Sequence, residues 1–281
     1  MLQEIAPHIF HNEFKDPPPS PRDTDLVAVF DGGSALLTPE GEFPAVAAVR
    51  ALGAAAEELI YLFAVDEIGF FLLERPSEAV KAALQPAPTT VFRTMEPRFM
   101  RLAAPTALHL ANWYRTNRFC GCCGAPTVRD DKERAMRCTS CGALVYPRIN
   151  PAAVAAVRDG DRLLLIRYAD RPMTTARYAL IAGFTEIGET MEQTVCREVM
   201  EEVGLHVKNV RYHADQPWGF VGNQMVGFWA DLDGGDGTVT LDTSELKEAV
   251  WLRREEIPEV HDPVDLTHTM TELFRLGRDP R

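Results

Sequence analysis

The second half of the chain alternates short apolar runs with polar turns, which predicts strands joined by tight connections. Residues 154–168 read VAAVRDGDRLLLIRY and place Asp159-Gly160 between two strand-like runs, so we expect a hairpin there. Further strands are expected at 178–182, 207–214, 225–231 and 249–252, with a helix near 264–276. Together with the helix described next, this pattern indicates a mixed α+β sandwich in residues 147–281.

One helix in this region has ends that the sequence itself marks. Thr190 is followed three residues later by Gln193, a pair that caps helix N-termini, and Gly204 suits the left-handed position just past a helix end. The helix should therefore span 191–203. Its apolar stripe recurs every four residues and consists of Met191, Val195, Val199 and Val203. Cys196 lies inside this helix, where we expect it to be a small buried filler.

A second face of the same helix carries three carboxylates. Glu198, Glu201 and Glu202 stand at i, i+3 and i+4, so their side chains converge and repel one another. A bound cation resolves that repulsion, and oxygen ligands favour Mg²⁺ or Mn²⁺ over zinc. The alternative is a solvated acidic face, which would leave the spacing of the surrounding glycines and charged residues unexplained.

The first 110 residues predict a small α/β domain. Strand-like apolar runs occur at 26–30, 59–65 and 68–73, short helical patterns at 45–57 and 77–84, and a proline-rich connector at 16–23. No combination of nucleophile, base and ligand stands out in it. We assign this region an architectural role.

The cysteines predict a zinc ribbon. Five of the six lie within 22 residues, and four of them form two CxxC pairs, Cys120/Cys123 and Cys138/Cys141, separated by fourteen residues. In an intracellular chain this spacing is typical of a closed four-thiolate zinc site rather than of disulfides. A metal-free remnant, or a register that uses Cys122 in place of Cys123, remains the alternative.

Chain length and net charge limit the possible number of domains and the possible classes of ligand. A chain of 281 residues suggests two or three units, which we place at 1–112, 115–146 and 147–281. The net charge of -12 argues against general binding to nucleic acids or membrane surfaces, although divalent cations can still bring a phosphate-rich substrate to an acidic protein. The N-terminus lacks the pattern of a signal peptide, and no run of eighteen apolar residues occurs. We expect a cytoplasmic protein without a membrane partner.

A known motif is contained in residues 183–205, GFTEIGETMEQTVCREVMEEVGL. Gly183 is followed after five residues by Glu189, and after seven more by Arg197-Glu198, with Gly204 closing the segment. This spacing resembles the Nudix hydrolase box at every defined position. The resemblance implies a mixed sheet between helices, a pairing of Arg197 with Glu189, and backbone roles for both glycines.

The resemblance also implies roles for the carboxylates in hydrolysis of a phosphoanhydride. Glu198, Glu201 and Glu202 would hold divalent ions, and Glu202 would act as the base or position the attacking water. A segment at 245–252, ELKEAVWL, is similar to the one that supplies another metal-contacting glutamate in the family, here Glu245.

Three further features resemble one subfamily, the NADH pyrophosphatases, some of which also remove NAD caps from RNA. They are the order of a small N-terminal domain, a zinc ribbon and YPRINP at 146–151, the ELKEAVWL segment, and Gln216-Pro217-Trp218. The last of these resembles the signature SQPWPFPxS, which marks a preference for NAD(H). The chain departs from that signature at Asp215, Gly219, Val221 and Asn223.

This resemblance assigns candidate substrate contacts and a substrate. We expect Gln216 and Trp218 to contact it, with Trp218 stacking on a base from a loop over the site, and we add Phe184 and Tyr146 as further aromatic candidates. NAD(H) would be a substrate rather than a cofactor, since the chain contains no GxGxxG fingerprint. Family members are typically homodimers, so we expect one here.

Two alternatives remain open. A Nudix hydrolase for ADP-ribose or another nucleoside diphosphate derivative is favoured by the altered signature. A zinc-ribbon RNA-binding protein with a scaffold Nudix domain is favoured by the excess of basic residues in 115–148, seven against three acidic ones: Arg115, Arg118, Arg129, Lys132, Arg134, Arg137 and Arg148.

Overall fold

A computed structural model of the protein describes residues 1–169, 178–260 and 264–280. The chain divides into two units. The N-terminal unit consists of Gln3–Arg148 and Trp218–Gly222, and the C-terminal unit of Met1–Leu2, Ile149–Pro217 and Asn223–Arg281. The zinc-ribbon segment is grouped with the residues that precede it, and the division of the chain into three domains stays a prediction. Among the helices that the structure describes, none has the length and apolarity that a membrane span requires.

The N-terminal unit contains two sheets. Its elements are β1 (Phe10–His11), β2 (Leu26–Asp31), β3 (Ser34–Leu37), α1 (Val46–Ala51), β4 (Leu59–Val65), β5 (Ile68–Leu73), α2 (Glu78–Ala83), β6 (Gln85–Ala87), α3 (Met100–Thr116), β7 (Thr127–Arg129), β8 (Met136–Cys138) and β9 (Leu144–Val145). Short 3₁₀ helices lie at Ala56–Glu58 and Thr89–Thr94. The larger sheet has the order β1-β4-β5-β2-β3-β6, and β7-β8-β9 forms the ribbon.

The longest helix of this unit, α3, was not predicted. Eleven of its seventeen residues are buried, among them Pro105 in its interior. Its residues belong to the same core cluster as Phe63 and Phe70 of the sheet. A helix that is apolar on most sides lacks the polar face that reveals a helical period, and an internal proline argues against a helix. The strands predicted at 59–65 and 68–73 are confirmed, whereas the helix expected over 45–57 is shortened to α1.

The C-terminal unit is a mixed sheet between helices, as predicted. Its elements are β10 (Asn150–Asp159), β11 (Arg162–Tyr168), β12 (Ile181–Phe184), α4 (Met191–Val203), β13 (Val207–Trp218), β14 (Asn223–Leu232), β15 (Leu246–Arg253) and α5 (Leu266–Arg275), with a 3₁₀ turn at Arg254–Glu256. The strand order is β13-β14-β10-β11-β15, and β12 pairs with β10. The β10–β14 pair is parallel, while β10–β11, β10–β12 and β11–β15 are antiparallel.

The two faces of this sheet bury different helices. Ala153, Ala155 and Val157 of β10 share a core cluster with the apolar stripe of α4. The alternate residues, Val154 and Ala156, share another cluster with Met270 and Phe274 of α5. Successive side chains on a strand point to opposite faces, so the apolar stretch 152–157 of β10 serves both layers. This arrangement places α4 and its carboxylates against one face.

The hairpin predicted within 154–168 is present, but its turn residues and two other local expectations differ from the prediction. The hairpin turn is Gly160-Asp161 rather than Asp159-Gly160, because Asp159 still pairs with Arg162 and Gly160 supplies the positive φ of 59° in the first turn position. The strand expected at 207–214 continues to Trp218, so Gln216-Pro217-Trp218 ends a strand instead of forming a loop. Cys196 is exposed, because it lies off the buried 195/199/203 stripe of α4.

Candidate metal centre and substrate contacts

The helix that carries the carboxylates, α4, has the predicted ends. The N–H of Gln193 donates to Thr190 Oγ1 at 3.2 Å, and the N–H of Thr190 donates to Gln193 Oε1 at 2.8 Å. Gly204 follows the last turn with a φ of 69°. Both ends are thus fixed by local hydrogen bonds and backbone geometry, which sets the rotation of the carboxylates relative to the sheet.

Gly183 makes room for the first of these carboxylates. A Cβ atom at this position would overlap the carboxyl group of Glu198. Gly183 lies in β12 opposite Ala153 of β10. Its backbone has no left-handed φ, so the requirement for glycine here is space beside Glu198 rather than backbone freedom.

Arg197 ties the loop after β12 to α4. Its Nε and Nη2 donate to the two carboxylate oxygens of Glu189 at 2.7 and 2.9 Å, and Nη2 also donates to the Phe184 carbonyl at 2.9 Å. The predicted Arg197–Glu189 pair is therefore present. The hydrogen bonds from Arg197 hold the pKa of Glu189 at about 2. The same guanidinium neutralises two further carboxylates, through Nη1 to Glu198 at 2.7 Å and to Glu201 at 2.9 Å.

Glu202 has a different environment from its neighbours. It is 3% exposed, and its Oε2 is buried with no hydrogen-bond partner in the described part of the chain. Burial, together with the nearby negative charges of Glu198 and Glu245, raises the pKa of Glu202 to about 8. Burial also raises the pKa of Glu198, against the opposing effect of Arg197.

Glu245 is brought close to this helix by the start of β15. It is exposed, and its carbonyl accepts a hydrogen bond from the Ala169 N–H at 2.9 Å. Asp242, which sequence reasoning did not single out, adds another negative charge near Glu202, and its N–H donates to the Glu202 carbonyl at 2.9 Å. Its separation of forty residues from Glu202 gave no signal in the sequence.

These carboxylates fit a hard divalent cation by their chemistry, although they do not form a compact ligand set. Within residues 1–169, 178–260 and 264–280, four cysteines form the one group of three or more potential ligands whose donor atoms lie within 4.8 Å of one another. In the carboxylate set, Arg197 occupies Glu198 and Glu201, and Glu202 keeps a buried oxygen without a partner. A cation would satisfy that oxygen and offset the clustered negative charge.

The four cysteines are Cys120, Cys123, Cys138 and Cys141, the set that the spacing predicted. Sγ of Cys120 lies 3.7 Å from Sγ of Cys141, and Sγ of Cys123 lies 3.5 Å from Sγ of Cys138. A tetrahedron of zinc–sulfur bonds of about 2.3 Å requires sulfur separations of about 3.8 Å, so the cluster fits zinc. Cys122 is exposed and lies outside the set, which decides the register in favour of Cys123.

The backbone of the ribbon favours thiolates. The N–H groups of Cys141 and Ser140 both point at Cys138 Sγ from 3.4 Å, and they lower the pKa of Cys138 to about 6. The N–H of Cys122 lies at the same distance from Cys120 Sγ. Because the thiolate is the form that binds zinc, these donors prepare the ligands for the metal.

The predicted substrate contacts have different surroundings. Phe184 is 56% exposed next to Gly183, and Tyr146 is exposed with its hydroxyl donating to Glu133 at 2.8 Å. Gln216 is fully buried, and its amide bonds the Val264 carbonyl and the Leu266 N–H at 2.9 and 2.8 Å. Trp218 packs on Phe220. Contact of these four residues with substrate stays a prediction.

Two domain families match the chain. The NUDIX domain family matches residues 148–271, and the NADH pyrophosphatase zinc ribbon domain family matches residues 115–146. The first range includes α4 with its carboxylates, and the second includes all four clustered cysteines. A crystal structure of a NUDIX hydrolase from Nitrosomonas europaea aligns with a TM-score of 0.48 at 22% identity, over 57% of this chain and 92% of that chain.

Curated relatives share about two fifths of their aligned residues with this chain. The NAD-capped RNA hydrolase NudC of Pectobacterium atrosepticum is 40% identical over 169 residues, which are 60% of this chain and 64% of the relative. The protein of the same name from Klebsiella pneumoniae is 38% identical over 177 residues, 63% of this chain and 67% of its own length. The similarity thus spans about two thirds of the length of these relatives.

Proposed function

Because the chain belongs to the Nudix family and carries the zinc ribbon of NADH pyrophosphatases, we propose that it hydrolyses the pyrophosphate bond of NAD(H) to NMN(H) and AMP. The observation that carries the proposal is Glu202, a buried carboxyl with an unpartnered oxygen on the helix of the Nudix motif. The relatives named NAD-capped RNA hydrolase support a second substrate, the NAD cap of an RNA.

Glu198, Glu201, Glu202 and Glu245 are the residues that would hold Mg²⁺ or Mn²⁺. When bound, such an ion neutralises pyrophosphate oxygens and lowers the pKa of a coordinated water. Two observations support this assignment: Oε2 of Glu202 has no hydrogen-bond partner among the described residues, and the pKa of Glu198 is raised. Both mean that ionised carboxylates at this site are unfavourable at neutral pH without a bound cation.

The reaction requires a proton acceptor and a fixed loop. Glu202 accepts the proton of the attacking water as oxygen bonds to phosphorus and the bond to the leaving nucleotide breaks. With a pKa of about 8, the Glu202 carboxyl is protonated at pH 7 until a bound cation adds positive charge beside it. The ability of Glu202 to accept a proton therefore depends on the cation. Arg197 holds the 184–189 loop against α4 and keeps Glu198 and Glu201 oriented.

A substrate panel tests the function. We expect the purified protein with Mg²⁺ or Mn²⁺ to release NMN(H) and AMP from NAD(H), and to release NMN from NAD-capped RNA, with the products identified by chromatography. The candidate with independent support is ADP-ribose hydrolysis, which the changed residues at 219 and 221 favour. Faster turnover of ADP-ribose than of NADH would establish that alternative. RNA binding without hydrolysis of any of these compounds would favour the scaffold hypothesis.

Quaternary structure and location belong to the same proposal. The subfamily resemblance supports a homodimer in the cytoplasm, and the thiol cluster supports a reducing compartment. Sedimentation of the zinc-loaded protein would give twice the mass of one chain. A monomer at assay concentrations that retains full activity would exclude a role for the dimer in catalysis.

A further inference from the structure

The connection between β14 and β15, residues 233–245, is bonded directly to the last turn of α4. The N–H of Thr240 donates to the Val203 carbonyl at 2.9 Å, and the N–H of Asp242 donates to the Glu202 carbonyl at the same distance. Carbonyls in the last turn of a helix have no partner within that helix. The connection therefore supplies hydrogen bonds that end α4, and one of them goes to the backbone of the buried Glu202.

Close packing keeps the connection in this position. Val239 and Leu241 are partly buried against the apolar cluster that contains the stripe of α4, and Leu246, the first residue of β15, is 1% exposed in the same cluster. A Cβ atom at Gly204 would come within 2.9 Å of the Cβ of Thr240. Gly204 thus meets two requirements, the left-handed φ of 69° after the helix and room for the connection.

Asp242 forms a compact turn around Glu245. Its Oδ1 accepts hydrogen bonds from the N–H and the hydroxyl of Ser244 at 2.8 and 2.7 Å, an arrangement in which an aspartate side chain takes the place of a backbone turn. Its carbonyl accepts a hydrogen bond from the Leu246 N–H at 2.9 Å. Asp242 is therefore bonded on one side to Glu202 and on the other side to both chain neighbours of Glu245.

The placement of Glu245 matters because its negative charge acts on two carboxylates of α4, Glu198 and Glu202. The Glu245 side chain is exposed, so its position depends on the backbone that carries it. Metal ligands in proteins are commonly oriented by hydrogen-bonded residues that do not touch the ion. The turn at Asp242 has the connections that such a role requires.

We propose that Asp242 is a positioning residue, whose turn holds Glu245 beside Glu202 so that both can bind the same cation. This inference rests on the proposed function, because it takes Glu202 and Glu245 to be cation ligands. The carboxylate of Asp242 acts as a hydrogen-bond acceptor within the turn and not as a ligand. The hydrogen bond from its N–H to Glu202 then links the helix that carries one ligand to the segment that carries the other.

Binding of Mn²⁺ to the zinc-loaded protein, followed by the electron paramagnetic resonance signal of the free ion, tests the role of the turn. Asp242→Ala removes the acceptor, and the Kd for Mn²⁺ should rise about tenfold or more, the usual effect of losing a residue that orients a metal ligand. Asp242→Asn keeps an acceptor oxygen for Ser244. Its Kd should stay within about threefold of the wild-type value, since the charge that it loses is not buried.

Asp236→Ala is the matched control. Asp236 lies in the same connection and forms the same kind of turn, in which its Oδ1 accepts a hydrogen bond from the Thr238 N–H at 2.9 Å. Its turn is followed by Val239 rather than by a carboxylate. The substitution removes the same charge and the same acceptor, and the Kd for Mn²⁺ should change by less than about twofold, as expected for a surface position.

A double-mutant cycle shows whether Asp242 acts through Glu245. Glu245→Gln should weaken Mn²⁺ binding by itself. Asp242→Ala added to Glu245→Gln should then raise the Kd by less than about twofold, because two residues that serve one interaction are not additive. A further rise as large as that of Asp242→Ala alone would mean that Asp242 acts independently of Glu245, and it would overturn the proposal.

Three other results also overturn it: an unchanged Kd in Asp242→Ala, an equal rise in Asp242→Asn, or an equal rise in Asp236→Ala. The second would make the charge of Asp242 responsible instead of its turn. Thermal unfolding without Mn²⁺ shows whether each variant is folded. If Asp242→Ala does not fold, Ser244→Ala replaces it, because this change removes the hydroxyl donor alone; its Kd should rise in the same direction, and an unchanged value overturns the proposal.

Failure of the proposed function gives a separate result, since these measurements follow binding of the ion. A wild-type protein that shows the expected order of Kd values but hydrolyses neither NAD(H) nor NAD-capped RNA would refute the proposed substrates and leave the role of Asp242 intact. Binding of Mn²⁺ that Glu245→Gln leaves unchanged would remove Glu245 from the site, and this inference with it.

Discussion

The cysteines of the ribbon and the carboxylates around α4 are both sets of side chains with the chemistry of metal ligands, yet the structure assembles them to different degrees. The four Sγ atoms lie within 4.8 Å of one another, and backbone N–H groups already favour the ionised form of Cys138 and Cys120. Glu198 and Glu201 instead share Arg197, and Glu202 is buried without a partner for one oxygen.

The difference follows from what each site does. A structural zinc site contributes its binding energy to folding, so the fold gains by holding all four ligands in place. A hydrolytic site must bind and release charged groups in each turnover, so its ligands are left partly unsatisfied and its pKa values displaced. We therefore expect damage to the carboxylates to abolish activity but spare the fold, and damage to the cysteines to do the reverse.

The largest effect should come from Glu202→Gln, which removes a charge and a proton acceptor without removing volume. We expect kcat to fall by at least about 10²-fold, while the free energy of unfolding of the cation-free protein stays equal or rises. Glu192→Gln, an exposed glutamate in the first turn of α4, is the control and should retain activity. Near wild-type turnover in Glu202→Gln would remove Glu202 from the mechanism.

The reverse effect is expected for Cys138→Ser. Loss of one of four thiolates should lower the zinc content below one ion per chain and the unfolding temperature of the N-terminal unit by at least about 5 °C. Activity should fall only through instability. Cys122→Ser provides the control, because Cys122 lies outside the cluster and should keep both zinc and stability. Well-folded wild-type protein without zinc would contradict the structural role.

The pH dependence of the free energy of unfolding distinguishes the carboxylate site from the zinc ribbon without mutation of either. The pKa of Glu202 is about 8 in the folded protein against an ordinary 4.5, so between pH 5 and 8 the folded state binds more protons than the unfolded state. Stability must then fall as pH rises through this window. In zinc-loaded protein without added Mg²⁺ or Mn²⁺, we expect a loss of about 3 kcal/mol in the free energy of unfolding by pH 8.

Two controls define that measurement. Glu202→Gln should flatten the decline, and Mg²⁺ added at pH 8 should restore stability to the wild type but not to the variant. Denaturant unfolding of the C-terminal unit provides the measurement. A wild-type stability that is constant or rises from pH 5 to 8 would show that Glu202 is not held in the desolvated state that the structure describes.

Local sequence signals were enough to predict the α4 helix and the ribbon. The caps at Thr190 and Gly204 fix the helix within the residues themselves, and CxxC pairs fix two zinc ligands each. The separation between the carboxylates was likewise set by helical geometry. These features depend on residues within a few positions of one another, and the structure agrees with them closely.

Features that depend on distant partners were missed. The helix α3 is buried on most sides and contains Pro105, so its periodicity did not show. Arg93 meets Trp218 across 125 positions, and the reason for Gly219 is the Pro105 carbonyl on α3. Asp242 reaches Glu202 only because β15 begins beside α4. No pattern within a short window reports such contacts, which the tertiary fold alone decides.

The smallest effect is expected for Trp218→Ala, which touches neither metal set and so separates substrate binding from both. Stacking of a base on an aromatic ring contributes about 1–3 kcal/mol in nucleic-acid binders, so KM for NADH should rise several-fold or more while zinc content stays unchanged. A substrate that lacks the stacked base should be affected less. Phe220→Ala is the matched comparison, because it removes the neighbouring ring and one contact of Arg93 but leaves the indole in place.

If Trp218→Ala changes KM for NADH and for ADP-ribose equally, and ADP-ribose is hydrolysed faster by the wild type, then the Trp218 ring serves only to pack residues 218–222 on α3. The substrate preference would then have to come from residues of the C-terminal unit, of which the exposed Phe184 beside Gly183 is the first to replace.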